Sequence, residues 1–188
     1  NMIPNMTILS PKNRREMADM VRFCADFQYP VALRYPRGAA YEGLSAFRTP
    51  IVYGKSEILY EEEDIAVIFV GHMAELAVQV RDRLKEIGYH CSLINARFVK
   101  PLDTELLDRL SQNHSLLVTV EENVKSGGFG EHVSAYMEAC HPEIRVLSAA
   151  VWDRFVPQGN VESLRSRIGL GVEDIRQAIE DSEELREQ

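Results

Sequence analysis

The chain has 188 residues, 45% hydrophobic and 27% charged, with a formal net charge of −8. That composition is ordinary for a globular protein, and the acidic balance argues against general nucleic-acid binding, which needs a basic stripe to displace counterions. No apolar run approaches the roughly 20 residues needed to span a bilayer, no signal segment is read at the start, and the widely spaced Cys24, Cys91 and Cys140, each in an apolar pattern, read as reduced core thiols of a cytoplasmic protein.

In chain order, Met6-Thr7-Ile8-Leu9 has strand character, and Ser10-Pro11 reads as an N-cap with proline in the first helical position. Met17, Met20, Val21, Cys24 and Phe27 recur at helical spacing, which predicts a helix over residues 11–27 with one apolar face. Val31-Ala32-Leu33 predicts a short buried strand that Pro36 must end, because proline cannot donate to a ladder. A β-α-β unit with only two strands cannot bury a core unaided. Residues 1–38 are therefore expected to be the tail of a domain whose remainder lies outside the chain.

Residues 39–55 lose periodicity and are punctuated by Gly43, Ser45, Pro50 and Gly54, which predicts an interdomain linker. Strands are expected over 56–60 and 65–70, joined by the acidic turn Glu61-Glu62-Glu63-Asp64. Met73, Ala77, Val80, Leu84 and Ile87 predict an amphipathic helix stopped by Gly88. Residues 91–95 form the next strand, and Asp103 caps a short helix that turns Leu106, Leu107 and Leu110 inward. A strand at 116–120 follows, then a helix after Gly130 with Val133, Met137 and Cys140 inward, then a strand at 144–147. Two short helices close the pattern, one with Leu164 and Ile168, one with Val172, Ile175 and Ile179; the charged residues 181–188 are expected to fray. Alternating strands and helices predict an α/β domain over 56–188, a mostly parallel sheet with helices on both faces and right-handed crossovers.

Candidate functional residues gather first in Arg34-Tyr35-Pro36-Arg37-Gly38. Two guanidinium groups stand at and just beyond the carboxyl end of a strand, where open α/β sheets bind ligands. Arginine grips phosphate or carboxylate with two parallel N–H groups, and Gly38 lets the backbone turn or pass close to something bound. A carboxylate ion pair across a domain contact is the other reading of the same residues. Strand alternation sends Arg34 to the side opposite Arg37, so Arg34 reads as an ion-pair residue and Tyr35 as packing.

The loop Ser126-Gly127-Gly128-Phe129-Gly130 lies between a strand and a helix but lacks the P-loop lysine and the dinucleotide spacing, so it reads as a tight turn. Glu121 and Glu122 are adjacent on a strand and face opposite ways, so they cannot share a proton and are expected to cap or salt-bridge. His72 stands at the carboxyl end of a strand and could face a cleft, though it reads first as a polar turn residue. His72, His90, His114, His132 and His141 have no metal-pair spacing, and no metal site is expected. Arg97 and Lys100 read as domain or subunit salt-bridge residues, Trp152 and Phe155 as core or interface.

Four segments in order and register carry a resemblance: Val31-Ala32-Leu33-Arg34-Tyr35-Pro36-Arg37-Gly38; Ala96-Arg97-Phe98-Val99-Lys100-Pro101-Leu102-Asp103; Thr119-Val120-Glu121-Glu122-Asn123 with Ser126-Gly127-Gly128-Phe129-Gly130; and Phe155-Val156-Pro157-Gln158-Gly159. Over essentially its whole length the chain resembles the C-terminal part of the 1-deoxy-D-xylulose-5-phosphate synthases, thiamine-diphosphate enzymes of the transketolase superfamily. The resemblance implies a cytoplasmic, homodimeric, magnesium-dependent enzyme. It condenses pyruvate with glyceraldehyde 3-phosphate, releasing carbon dioxide, for isoprenoid synthesis by the non-mevalonate route and for thiamine and pyridoxal synthesis. It implies that residues 1–38 end a pyrimidine-binding domain, that 39–55 link, and that 56–188 are the C-terminal domain. By the same resemblance Arg37 binds the substrate phosphate, and the glycine-rich turn lies near the subunit contact.

The family's magnesium, diphosphate and ring-activating motifs do not occur in these residues. The expectation is therefore no catalytic, cofactor-binding or metal residue here, no thiamine diphosphate bound to this stretch alone, and no activity of it alone. Neither nucleic acid nor membrane is expected as a partner. Two alternatives remain: the C-terminal domain of another thiamine enzyme, such as a 2-oxo-acid dehydrogenase beta subunit, and a non-catalytic assembly module.

Overall fold

The computed structural model describes residues 3–187, and side chains for all of these except Glu162 and 184–187. Near the amino end, strands β1 (Thr7–Leu9) and β2 (Val31–Leu33) pair in parallel through helix α1 (Arg14–Asp26). The helix starts later than the sequence predicts. Its N-cap is Asn13, whose side chain accepts the Glu16 N–H at 2.9 Å. Ser10 is not free to cap, because its N–H donates to the Arg97 carbonyl at 2.8 Å and its hydroxyl to the Arg34 carbonyl at 3.2 Å.

The small first sheet gains a third strand that the sequence did not announce. Strands β3 (Glu57–Tyr60), β4 (Asp64–Phe69), β5 (Cys91–Asn95) and β6 (Phe98–Lys100) come later in the chain, and β6 pairs antiparallel with β1 to give the order β2-β1-β6. A two-stranded unit lacks the apolar area for a core, and here Phe98 completes one with Leu9 and Met20, all at most 1% exposed. Val21, expected on the inward face, is 49% exposed.

The larger sheet has strands β7 (His114–Val124) and β8 (Arg145–Val151) and the order β3-β5-β4-β7-β8. Strands β5, β4, β7 and β8 run parallel, and β3 is an antiparallel edge. The acidic turn does not make a hairpin of β3 and β4, because β4 already has β5 on one side and β7 on the other. Glu62 of that turn instead receives Arg81, Lys85 and the Cys91 N–H. Along β4 the side chains alternate: Ile65, Val67 and Phe69 face one core, Ala66 and Ile68 the other.

Helices α2 (Ala74–Glu86) and α6 (Val172–Glu187) cover the first face through Ala77, Val80, Leu84, Ile175 and Ile179. Helices α3 (Thr104–Leu110) and α4 (Phe129–Cys140) cover the second through Leu106, Leu107, Leu110, Val133 and Met137. Each buried Val, Leu, Ile or Met side chain among these contributes about 1.5–3 kcal/mol by leaving water, and the methyl of Ala77 less. The predicted α/β architecture, a mostly parallel sheet covered on both faces, is thus the observed one. Helix α5 (Val161–Arg167) lies between the loop after β8 and α6.

Three local expectations are corrected. Cys140, at the last position of α4, is exposed; the core on that face stops at Met137. Cys91 is a core thiol, its pKa pushed up to about 12 by burial, and Cys24 is half-buried. Finally, residues 181–187 do not fray but continue α6, with Arg145 of β8 bonded to Ser182 and Glu183; Gln188 lies outside the described residues.

Candidate functional site

Four charged side chains join the two sheets. Lys12 precedes α1, Glu16 stands in its first turn, Glu57 opens β3 and Arg97 lies between β5 and β6. Their side chains are 1–3% exposed, and the two positive and two negative charges balance. Lys12 Nζ reaches Glu16 at 2.9 Å and Glu57 at 2.5 Å. Arg97 Nε donates to Glu16 at 2.8 Å and its Nη2 contacts Glu57 at 2.9 Å, while its remaining donors bind the Thr49 and Pro50 carbonyls. Asn95 Nδ2 adds a bond to Glu16 at 2.9 Å. Burial alone would raise the Glu57 carboxyl, but Lys12 and Arg97 outweigh it and hold the pKa below its ordinary value. Arg97 sits at φ +55°, a left-handed backbone that its many partners over-determine.

This lock sets the first sheet against the carboxyl ends of the second. Gly71 ends β4 at φ +56°, and a Cβ there would fall on the Ser10 hydroxyl, so only glycine permits the approach. The result is a cleft of about 580 Å³ between the two parts, whose walls include Arg37, Tyr35, Tyr41, His72, Glu122 and Arg165. Arg37 is exposed and makes no ion pair among the described residues.

Across the cleft His72 and Glu122 come from the ends of the neighbouring parallel strands β4 and β7. His72 Nε2 lies 2.5 Å from Glu122 Oε2, and Glu122 Oε1 accepts from Arg165 Nε of α5 at 3.1 Å. Chiefly through the His72 hydrogen bond, against burial and with help from Arg165, Glu122 is held down at about 2.

The sequence expectations sort clearly against this geometry. Glu121 and Glu122 do face opposite ways: Glu121 turns inward and accepts the N–H groups of Phe129 and Gly130 at 3.0 and 2.8 Å, capping α4 across the glycine-rich turn. Gly130 is required there because a Cβ would strike Thr119 and Ser148. His72 is a cleft residue rather than a simple turn residue. Arg34, read as an ion-pair residue, has none among the described residues; its backbone does the work, its N–H donating to the Leu9 carbonyl at 2.8 Å. Tyr35, read as packing, is 66% exposed on the cleft wall. Arg97 is a salt-bridge residue as expected, and Lys100 Nζ donates to the Ile3 carbonyl. Trp152 and Phe155 are not core: both are exposed, with Lys125 Nζ 4.9 Å from the Trp152 ring.

Sequence reasoning missed Lys12, Glu16 and Asn95 altogether, and Arg165 as the partner of Glu122. Lys12 and Glu16 are four residues apart, one helical turn, but the pairs Lys12–Glu57, Asn95–Glu16, Arg97–Glu16 and Arg165–Glu122 lie 43 to 81 residues apart, and no local pattern connects those. The one available signal was that His72 and Glu122 each end a strand on the same edge of a parallel sheet.

The sheet order, the two-faced cover and a cleft at the carboxyl ends of parallel strands define a transketolase-type α/β domain. Residues 54–175 match the family described as "Transketolase, C-terminal domain", and the chain belongs to that family. Among curated proteins it is similar to the 1-deoxy-D-xylulose-5-phosphate synthase of Lachnoclostridium phytofermentans, 44% identical over 174 residues, 92% of this chain and 28% of that protein. It is also similar to the synthase of the same description from Caldanaerobacter subterraneus subsp. tengcongensis, 38% identical over 94% of this chain and 28% of that protein. The chain thus spans little more than a quarter of the length of these relatives. Among solved structures it superposes on a split-gene transketolase described as an inactive beta4 tetramer, with TM-score 0.86 and 26% identity over 96% of this chain and 58% of that one. Transketolase from Campylobacter jejuni, at 16% identity and TM-score 0.73 over 95% of this chain and 26% of that one, shares the fold. No helix among the described residues is long and apolar enough to cross a membrane.

Proposed function

We propose that the chain serves as the C-terminal part of a 1-deoxy-D-xylulose-5-phosphate synthase, a cytoplasmic homodimer in which Arg37 binds the phosphate of glyceraldehyde 3-phosphate. In this reading residues 1–38 close a pyrimidine-binding domain, 39–55 link, and 56–188 are the C-terminal domain. The names of the relatives support the reaction, condensation of pyruvate with the triose phosphate. The observation that carries the site is the exposed Arg37 guanidinium, without a carboxylate partner among the described residues, on a cleft at the carboxyl ends of parallel strands.

Thiamine diphosphate, when bound, supplies the electron sink for such a carbon–carbon bond change. Among the described residues no three His, Cys, Asp or Glu side chains are placed together to hold a metal ion. The reading assigns the cofactor to further sequence, and to this chain the binding and orientation of the phosphorylated substrate. The description of the split-gene transketolase chain as inactive supports a need for that further sequence.

A charge-assisted contact of the Arg37 kind contributes about 1.5–3 kcal/mol. The test is a chimera in which this chain replaces the matching part of the Lachnoclostridium phytofermentans synthase. Arg37→Ala should lower kcat/KM for glyceraldehyde 3-phosphate by about ten- to a hundredfold. An unchanged value refutes the assignment.

A further inference from the structure

We propose that His72 is a second anion-binding side chain of the Arg37 cleft, its imidazole aimed at the same phosphate and oriented by Glu122, which Arg165 holds in turn. The inference rests on the reading of Arg37 as a phosphate ligand. Nothing in the sequence pattern of the four matching segments assigns His72 a role.

The arrangement has three parts. His72 stands in the turn just beyond β4, and its side chain is 27% exposed, on the walls of both cavities that Arg37 lines. Its Nε2 is taken by Glu122 at 2.5 Å, and Nδ1 has no hydrogen-bond partner among the described residues. Glu122 is itself pinned by Arg165 at 3.1 Å, so the carboxylate cannot swing to follow the ring. A ring bonded to a fixed anion on one nitrogen and open on the other has its second nitrogen directed by the first. In its imidazolium form the ring would donate Nδ1–H to an anion while Nε2 stays on the carboxylate.

Most of the charges lining the cleft are already paired with one another or with neighbours. Lys12 lies on the wall but is spent on Glu16 and Glu57, and Arg165 is spent on Glu122. Glu42, Glu75, Tyr35 and Tyr41 line the same cleft, Glu42 within 3.5 Å of Arg14. Arg37 and the open side of His72 are what remain to meet a ligand, with Arg34 at the edge of the adjoining cavity. A bidentate guanidinium grips two phosphate oxygens, and an imidazolium lining the same cleft would take a third.

A purely structural pairing of His72 with Glu122 would produce the same distances, and the test must separate the two. Inorganic phosphate is titrated into the 188-residue chain while the ring proton resonances of His72 and the side-chain resonance of Arg37 are followed by NMR. Both should move with one midpoint. His72→Ala should weaken phosphate binding about tenfold, as loss of one charge-assisted hydrogen bond requires, with the urea midpoint little changed. His72→Lys, which keeps a cation on that wall, should stay within about threefold of wild type. If Arg37→Ala weakens binding and His72→Ala does not, the inference is overturned while the Arg37 reading stands. If neither substitution weakens binding, or no phosphate binds, both fall. A urea midpoint that drops in His72→Ala with phosphate affinity unchanged identifies the pairing as structural and overturns the inference.

Discussion

Two clusters in this molecule use the same chemistry, carboxylates held by cations, and put it to opposite ends. Lys12, Glu16, Glu57 and Arg97 are 1–3% exposed, charge-balanced, and use their donors and acceptors on one another and on nearby backbone. His72, Glu122 and Arg165 are 25–32% exposed and leave one imidazole nitrogen open on a cleft. Burial is the difference. In the interior an unpaired charge is so costly that the quartet must be complete, which makes it a lock between α1, β3 and the β5–β6 turn. At a cleft wall water tolerates an open valence, and that valence is what a ligand can use.

The largest expected effect tests the lock. Arg97→Ala leaves Glu16 and Glu57 to share Lys12 in the interior, and should cost about 3–5 kcal/mol in urea denaturation. His72→Ala, which breaks a half-exposed pair, should cost less than about 1 kcal/mol by the same measurement. Equal costs would erase the distinction drawn from burial.

Gly71→Ala comes next, because it strikes the joint between the two clusters. A left-handed φ for alanine and a collision with Ser10 together should cost about 1–3 kcal/mol. Amide exchange at Arg34 should speed up, since Ser10 no longer holds the Arg34 carbonyl. Unaltered exchange would mean that the joint does not position the arginine segment.

A smaller effect concerns pH. Glu122 is lowered from 4.5 to about 2, so the folded protein binds that proton less readily than the unfolded chain. The stabilisation it contributes is whole above pH 4.5 and drains away as pH falls from 4.5 towards 2. The gap in urea midpoint between wild type and Glu122→Gln should therefore narrow as the pH falls from 4.5 towards 2. A gap that widens on acidification contradicts the pairing. Smallest of all, Phe155→Ser should leave the urea midpoint within the equivalent of about 0.5 kcal/mol, because the ring is fully exposed in this chain.

Much of the fold could be read directly. The 3.6-residue recurrence of Ala77, Val80 and Leu84 found α2, Gly88 at φ +96° stopped it, and Asp103 caps α3 with its carboxylate on the Leu106 N–H. What misled was local chemistry that distant residues had claimed. Ser10 had the right type for a cap, but Arg97 and Arg34 already hold it. Residues 98–100 were too short to show alternation and became a strand only because β1 had a free edge. Cys140 kept the helical period of Val133 and Met137, yet the period runs one turn beyond the core. Of the cleft, Arg37 was visible because a strand, a proline and a glycine framed it. His72 was visible only as a strand-end residue, and Arg165 not at all.

By itself, then, the order of residues determined the alternation of strands and helices, the glycines at turns, and the placing of Arg37 beyond a strand end. Those are consequences of periodicity, backbone sterics and short-range hydrogen bonding, which act over a few residues. Only the tertiary structure decided that β6 crosses to the first sheet, that Lys12 meets Glu57, and that His72, Glu122 and Arg165 face Arg37 across one cleft. Charge pairing acts through space at a few ångströms, and sequence separation carries no record of which distant groups will be brought that close.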